Sequence, residues 1–244
     1  MDLKGWRFQI YSKFWETIDH IFPPVCLGCD KVGEYFCEDC KEKMPTITYH
    51  YSEDEQKNKI SEHRDINDVG TSMCDETRAF AYHEGAIKKA VHRLKYERDL
   101  GLGKVLGKML VPIVQEHKWD IDLIIPVPLG RKRRKERGYN QAEIIAFPLA
   151  HYLKIRFDPN IIKRCRETKT QIGLSKRERH KNVDGVFVVE NGKVEGKSVL
   201  LLDDVYTSGA TMKSAGKALK EAGARCVYTL TVTKADNLSA NEIW

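Results

Sequence analysis

Residues 199–211, reading Val-Leu-Leu-Leu-Asp-Asp-Val-Tyr-Thr-Ser-Gly-Ala-Thr, constrain this chain more than any other stretch. The apolar run at 199–202 is too short for a buried helix and suits a strand covered on both faces, as in a parallel sheet. Asp203 and Asp204 follow where that strand should end, at the edge where open α/β sheets bind ligands. Paired carboxylates there accept hydrogen bonds from vicinal hydroxyls or hold a divalent cation. Thr207, Ser208, Gly209, Ala210 and Thr211 then place small hydroxyl side chains around a glycine at the start of the next helix, whose free N–H groups favour an anion. The line as a whole reads as a cradle for a sugar phosphate.

That order of strand, acidic pair and Thr-Ser-Gly-Ala-Thr closely resembles the phosphoribosyl pyrophosphate (PRPP) signature of type I phosphoribosyltransferases. The resemblance implies that Asp203 and Asp204 hold the ribose hydroxyls and that Thr207 to Thr211 hold the 5′-phosphate. Magnesium is expected to arrive with the substrate, because Mg²⁺ usually binds through one or two carboxylates plus phosphate oxygens.

The surrounding pattern supports an α/β fold. Strands are predicted at 79–83, 123–127, 185–189, 199–202 and 226–232, and helices at 85–96, 102–117, 140–153 (interrupted by Pro148) and 208–222, the last closed by Gly223. Their alternation predicts a mostly parallel sheet flanked by helices, the type I phosphoribosyltransferase-like architecture. Gly192 to Ser198 imitates a Walker A loop, but it is one residue short between its glycines and precedes a strand, so it reads as a turn.

Cys26, Cys29, Cys37 and Cys40 form a C-x2-C-x7-C-x2-C array. Two such knuckles match a four-thiolate structural zinc site better than a disulfide framework or an iron–sulfur cluster. Gly28 would let backbone N–H groups turn toward the sulfurs. Cys74, Cys165 and Cys226 have no partner spacing. The expected organisation is an N-terminal helix and zinc-binding region at 1–48, a polar linker at 49–76 and the phosphoribosyltransferase-like domain at 77–236. In the first of these, Trp6, Ile10, Phe14 and Ile18 recur four apart and predict an amphipathic helix whose stripe is most simply a core or domain contact.

With 41% hydrophobic residues among 244, the chain is not disordered throughout. It contains no run near the ~20 apolar residues of a membrane helix and no secretory leader pattern, so a cytoplasmic protein is expected. Its net charge of +6 conceals an asymmetry: residues 130–181 carry 16 Lys and Arg against 5 Asp and Glu, or +11, leaving −5 for the remainder. Val127, Pro128 and Leu129 end a strand where phosphoribosyltransferases place their pyrophosphate loop. Arg131, Lys132, Arg133, Arg134, Lys135 and Arg137 follow at once, as an expected mobile basic loop. Such a loop serves either pyrophosphate or a nucleic-acid backbone, unless it is simply a solvated face.

The zinc knuckles after Phe22-Pro23-Pro24, the Leu94-Lys95-Tyr96 triplet, the Pro-Val-Pro-Leu loop, the Arg137-Gly-Tyr-Asn-Gln-Ala142 run and the signature together resemble the ComF family. Arg166, Thr168, Gln171, Leu174, Arg179, Asn182 and Phe187 keep that family's spacing as well. The resemblance implies PRPP binding, contact with single-stranded DNA, and a role in DNA uptake during natural competence. It also implies partners that include a helicase-like ATPase and recombination mediators, which would bring the protein near the membrane. Many members carry a second set of metal-binding cysteines, and here only Cys74 lies in the polar segment, so one zinc is expected. A catalytically active phosphoribosyltransferase of nucleotide salvage is the alternative that the signature supports. Lys234, just after the last strand, would be placed to touch an acceptor base.

Overall fold

A computed structural model describes residues 13–15, 17, 18, 20–49, 74–165 and 185–235. After a short helix α1 (Glu38–Glu42), the order is β1 (Glu76–Tyr82), α2 (Gly85–Tyr96), α3 (Gly101–Met109), α4 (Val111–Glu116) and β2 (Leu123–Pro126). There follow α5 (Arg131–Arg137), α6 (Gln141–Leu153), β3 (Arg156–Phe157), β4 (Ile162–Arg164), β5 (Phe187–Val189), β6 (Ser198–Tyr206), α7 (Ala210–Glu221) and β7 (Cys226–Lys234). Among the described residues no helix is long and apolar enough to cross a membrane.

Five strands make an all-parallel sheet in the order β1-β7-β6-β2-β3. Alternation along the pleat divides its side chains between two cores. Ile124, Leu200, Leu202, Leu230 and Val232 pack with α2, α3, α4 and α6, whereas Leu123, Ile125, Val199, Leu201 and Val227 pack with α7 and the β4–β5 pair. Both faces are covered, which is why these strands read as continuous apolar runs rather than alternating ones.

Several expectations are corrected. The strand expected at 185–189 is β5, and it pairs antiparallel with β4 in a separate two-stranded sheet rather than joining the main one. The helix expected at 102–117 is two helices, because Pro112 lacks the N–H that would continue α3 and instead sits in the first turn of α4. Pro148 does not interrupt α6, which runs through it. There α3 crosses α6 in backbone contact: a Cβ at Gly107 would lie 2.8 Å from Ile145 O and 3.1 Å from Pro148 Cβ. The basic segment expected as a mobile loop is the helix α5, formed by good helix formers between Gly130 and a left-handed Gly138 at φ 86°. The turn expected at 192–198 is a turn, with Gly192 and Gly196 at positive φ.

The cysteine region joins the body of the protein directly. Leu27, Tyr35, Phe36 and Met44 belong to the same core as Ile87, Leu94 and Leu102. Thr46 bridges Ala81 antiparallel, and Ile47 N donates to Phe80 O at 2.9 Å. Of the amphipathic stripe, Trp6 and Ile10 lie outside the described residues, Ile18 is half-buried, and Phe14 is 57% exposed rather than a core contact. The expected linker lies almost wholly outside the described residues, as do Arg166, Thr168, Gln171, Leu174, Arg179 and Asn182.

Candidate functional site

The chain leaves β2 toward β3 on one side and leaves β6 toward β7 on the other, although β2 and β6 are neighbours. Oppositely directed connections from adjacent strands open a crevice at their C-terminal ends, the general ligand position of such sheets. Pro126 pairs with Leu202, so the Val127, Pro128, Leu129 loop and the backbone of Asp203 and Asp204 lie side by side at this crevice. Val127 N donates to Leu202 O at 2.8 Å, tying the loop to β6. Buried Asn140 holds it from behind, with Nδ2 donating to Val127 O at 2.9 Å while Oδ1 accepts from Ala142 N at 3.2 Å and caps α6.

The acidic pair lies within β6, not after it, because β7 continues alongside and pairs Asp203 with Thr231. Consecutive strand residues point to opposite faces. Asp204 shares the face of Leu200 and Leu202, where it is 5% exposed and its Oδ2 meets Lys95 Nζ of α2 at 3.1 Å, Lys95 being 7% exposed. Asp203 takes the α7 face and is half-buried, and its Oδ1 accepts from Asp204 N at 2.9 Å. Burial, then repulsion from Asp204, pushes the Asp203 carboxyl up to about 7, against the opposing pull of Lys95 and Arg164. Buried Thr231 Oγ1, beside Asp203 in register, has no hydrogen-bond partner among the described residues. Across β7, just past the end of β1, His83 Nδ1 and Thr233 Oγ1 share a hydrogen bond of 2.8 Å, and burial followed by the charge of Lys95 pushes that histidine down to about 4.

Thr207, Ser208, Gly209, Ala210 and Thr211 form the turn from β6 into α7, with buried Gly209 at the N-cap in the left-handed region at φ 71°. The positive φ favours glycine, and a Cβ there would also force the end of the Tyr206 side chain to move. Ala210 N reaches Ser208 Oγ at 3.5 Å. The turn offers backbone N–H groups and hydroxyls at the head of a 12-residue helix, a setting suited to a phosphate.

Arg131, Lys132, Arg133, Arg134, Lys135 and Arg137 lie on α5, which buries no residue and follows directly on the loop after β2. Its far end is fastened to α2: the Tyr139 hydroxyl donates to Leu94 O, and the Arg137 guanidinium lies 5.0 Å from the Tyr96 ring centroid. Lys234 is exposed at the end of β7, and His83 N donates to its carbonyl.

Cys26, Cys29, Cys37 and Cys40 bring their sulfurs within 4.8 Å of one another. The Cys26–Cys37 and Cys29–Cys37 separations are 3.7 and 3.5 Å. A tetrahedral ion with bonds of about 2.3 Å to sulfur sets its ligands about 3.8 Å apart, so this donor set fits zinc. Burial alone would push the Cys26 thiol up, but N–H groups of Cys37, Gly28 and Cys29 at its sulfur bring it down to about 6. Cys40 is pushed up to about 12, chiefly by Cys37 and Cys29, a crowding of sulfurs that a divalent cation relieves. A Cβ at Gly28 would lie 2.6 Å from Cys40 Sγ, which adds a steric reason for that glycine.

Lys95 stands in the sequence reading only within the Leu94-Lys95-Tyr96 triplet of the resemblance, with no role at the acidic pair. The apolar stripe of α2 runs Ile87, Val91 and then, four further on, Lys95; a cation on a buried stripe is the signal.

A family model described as phosphoribosyl transferase domain matches residues 140–241. Competence protein F of Haemophilus influenzae is 32% identical over 208 residues, covering 82% of this chain and 85% of that protein. Competence protein ComFC of Bacillus subtilis is 26% identical, covering 82% and 90%. A DNA utilization protein YhgH of Escherichia coli is 33% identical over 146 residues, covering 58% and 64%.

Proposed function

The chain belongs to the ComF family of competence proteins, and from that premise we propose that it binds PRPP with magnesium in the β2–β6 crevice and single-stranded DNA on its basic segment, in the service of DNA uptake. The observation that carries the reading is the crevice itself: a loop expected to take pyrophosphate faces, across one pair of hydrogen-bonded strands, an acidic pair and a glycine-capped turn expected to take ribose and 5′-phosphate.

Geometry bears on how magnesium would be held. Lys95 already neutralises Asp204, so half-buried Asp203 is the carboxylate of the pair better placed to help a cation that enters with the substrate's phosphates. The ion would neutralise phosphate charge there. Zinc at the four cysteines has every protein position filled and would be structural.

Calorimetry with PRPP and Mg²⁺ tests the crevice: saturable binding is expected, lost on changing Asp203→Asn together with Asp204→Asn. Fluorescence anisotropy with a labelled oligonucleotide tests the DNA arm, and an unaltered affinity after neutralising Arg131, Lys132, Arg133 and Lys135 would refute it. The partners implied by the resemblance, a helicase-like ATPase and recombination mediators, and a cytoplasmic location near the membrane, belong to the same proposal.

A catalytically active phosphoribosyltransferase is the second reading, favoured by the presence of both a pyrophosphate-loop position and the full signature. It requires pyrophosphate release from PRPP with some acceptor, and silence across a panel of bases and amines counts against it.

A further inference from the structure

Tyr96 closes α2 and is 50% exposed beside the most basic helix among the described residues. The Arg137 guanidinium carbon lies 5.0 Å from the ring centroid, and the His92 ring lies 4.8 Å away, tilted 45°. A half-exposed aromatic that serves only to anchor a neighbour is dispensable here, because the Tyr139 hydroxyl already ties that end of α5 to Leu94 O. Aromatic rings set among cations are how single-stranded nucleic acid is held without reading its sequence: phosphates follow the charge, and bases stack on rings and guanidinium planes. The position matters as well. Lys95, one residue before Tyr96, is turned inward onto Asp204, so the exposed ring lies one residue from the counter-ion of the acidic pair.

We propose that Tyr96, with Arg137 and His92, is a base-stacking platform for single-stranded nucleic acid, whose phosphate backbone is carried by α5. The proposal rests on the reading that the basic segment binds DNA, and it adds a base-dependent contact where that reading requires only charge.

The test is anisotropy with fluorescein-labelled oligo-dT and with an abasic strand of equal length, using the full chain in zinc-replete buffer. Tyr96→Ala is expected to weaken oligo-dT binding about 5- to 150-fold, the range of one lost stacking contact, and to leave the abasic strand unaffected. Tyr96→Phe keeps the ring and is expected to bind like the wild type, which separates stacking from any loss of fold. A variant neutral at Arg131, Lys132, Arg133 and Lys135 is expected to lose affinity for both strands and to show a shallower salt dependence. Wild-type oligo-dT affinity in Tyr96→Ala, with affinity lost in the α5 variant, overturns the platform and leaves the DNA reading standing. Equal weakening of both strands by Tyr96→Ala also overturns it, since an abasic strand has nothing to stack. No loss in the α5 variant overturns the DNA reading and the platform together.

Discussion

Removing the Lys95 ammonium should be among the most damaging single changes to this fold. Lys95 Nζ and Asp204 Oδ2 are 3.1 Å apart and both side chains are under one-tenth exposed. Truncating one partner of such a pair costs about 3–5 kcal/mol, mostly because the other charge stays buried without compensation. Lys95→Met keeps the length and apolar stem of the side chain, so it removes charge with little loss of packing. For a chain of this size each kcal/mol shifts Tm by about 2–4 °C, which puts the expected fall at roughly 6–20 °C. Adding Asp204→Asn removes the stranded charge, and the double variant should recover more than about 2 kcal/mol of the loss, as replaced buried pairs do. Urea unfolding of the ligand-free, zinc-loaded protein measures this, with the fluorescence of Trp119, stacked on Tyr228 at 5.0 Å, reporting the core. A Lys95→Met protein within about 1 kcal/mol of wild type, or a double variant no more stable than the single, would refute the account of a buried, mutually dependent pair.

Other outcomes follow from the same geometry. Gly209→Ala must displace Tyr206 or abandon φ 71°, so PRPP affinity measured by calorimetry should fall about 5- to 150-fold, for a strain of the order of 1–3 kcal/mol. Asp203 has its folded pKa raised from 3.8 to about 7, so the native state holds a proton more tightly than the unfolded chain does. Its contribution is therefore fully present below pH 4 and is lost as pH rises through about 7; denaturation midpoints across that window should show a decline that Asp203→Asn lacks. Elemental analysis should find one zinc per chain, and none after Cys37→Ala with Cys40→Ala; a second tightly held ion would contradict the reading of a single four-cysteine site.

Much of the site was legible because its chemistry is local. The run from Val199 to Thr211 specifies strand, acidic pair and turn within thirteen consecutive residues, and its glycine at 209 takes the positive φ that the turn requires. The cysteine spacing likewise encodes convergence of four sulfurs on one point. What was not legible depends on partners distant in sequence. Asp203 and Asp204 read as a matched pair, yet β7 extends the strand past them and the pleat turns them to opposite faces. The basic run has no apolar periodicity, so hydrophobic pattern gave no reason to expect a helix; the propensity of Arg and Lys and the flanking glycines formed one. β5 was expected as a strand, but its partner β4 is only three residues long, below what alternation can reveal, so their separate antiparallel pairing was not.

The position of α2 links these parts and gives the four-cysteine knuckle a structural place beside this site. The knuckle packs by the first turn of α2, where Leu27 and Phe36 share a core with Ala86 and Ile87. It reaches past the last turn too: the Tyr35 hydroxyl donates to Asp99 Oδ1 at 2.8 Å, and Asp99 pairs with Arg93 of α2 at 2.7 Å. Between these two supports α2 carries Lys95 to Asp204 and Tyr96 to Arg137. A buried ion pair tolerates little displacement, because its compensation depends on distance in a medium of low dielectric. An ion that fixes the four sulfurs therefore fixes both ends of the helix whose last turn serves the crevice and the basic surface. On this view the metal takes no part in ligand chemistry, and its effect on the site passes through the geometry of a single helix.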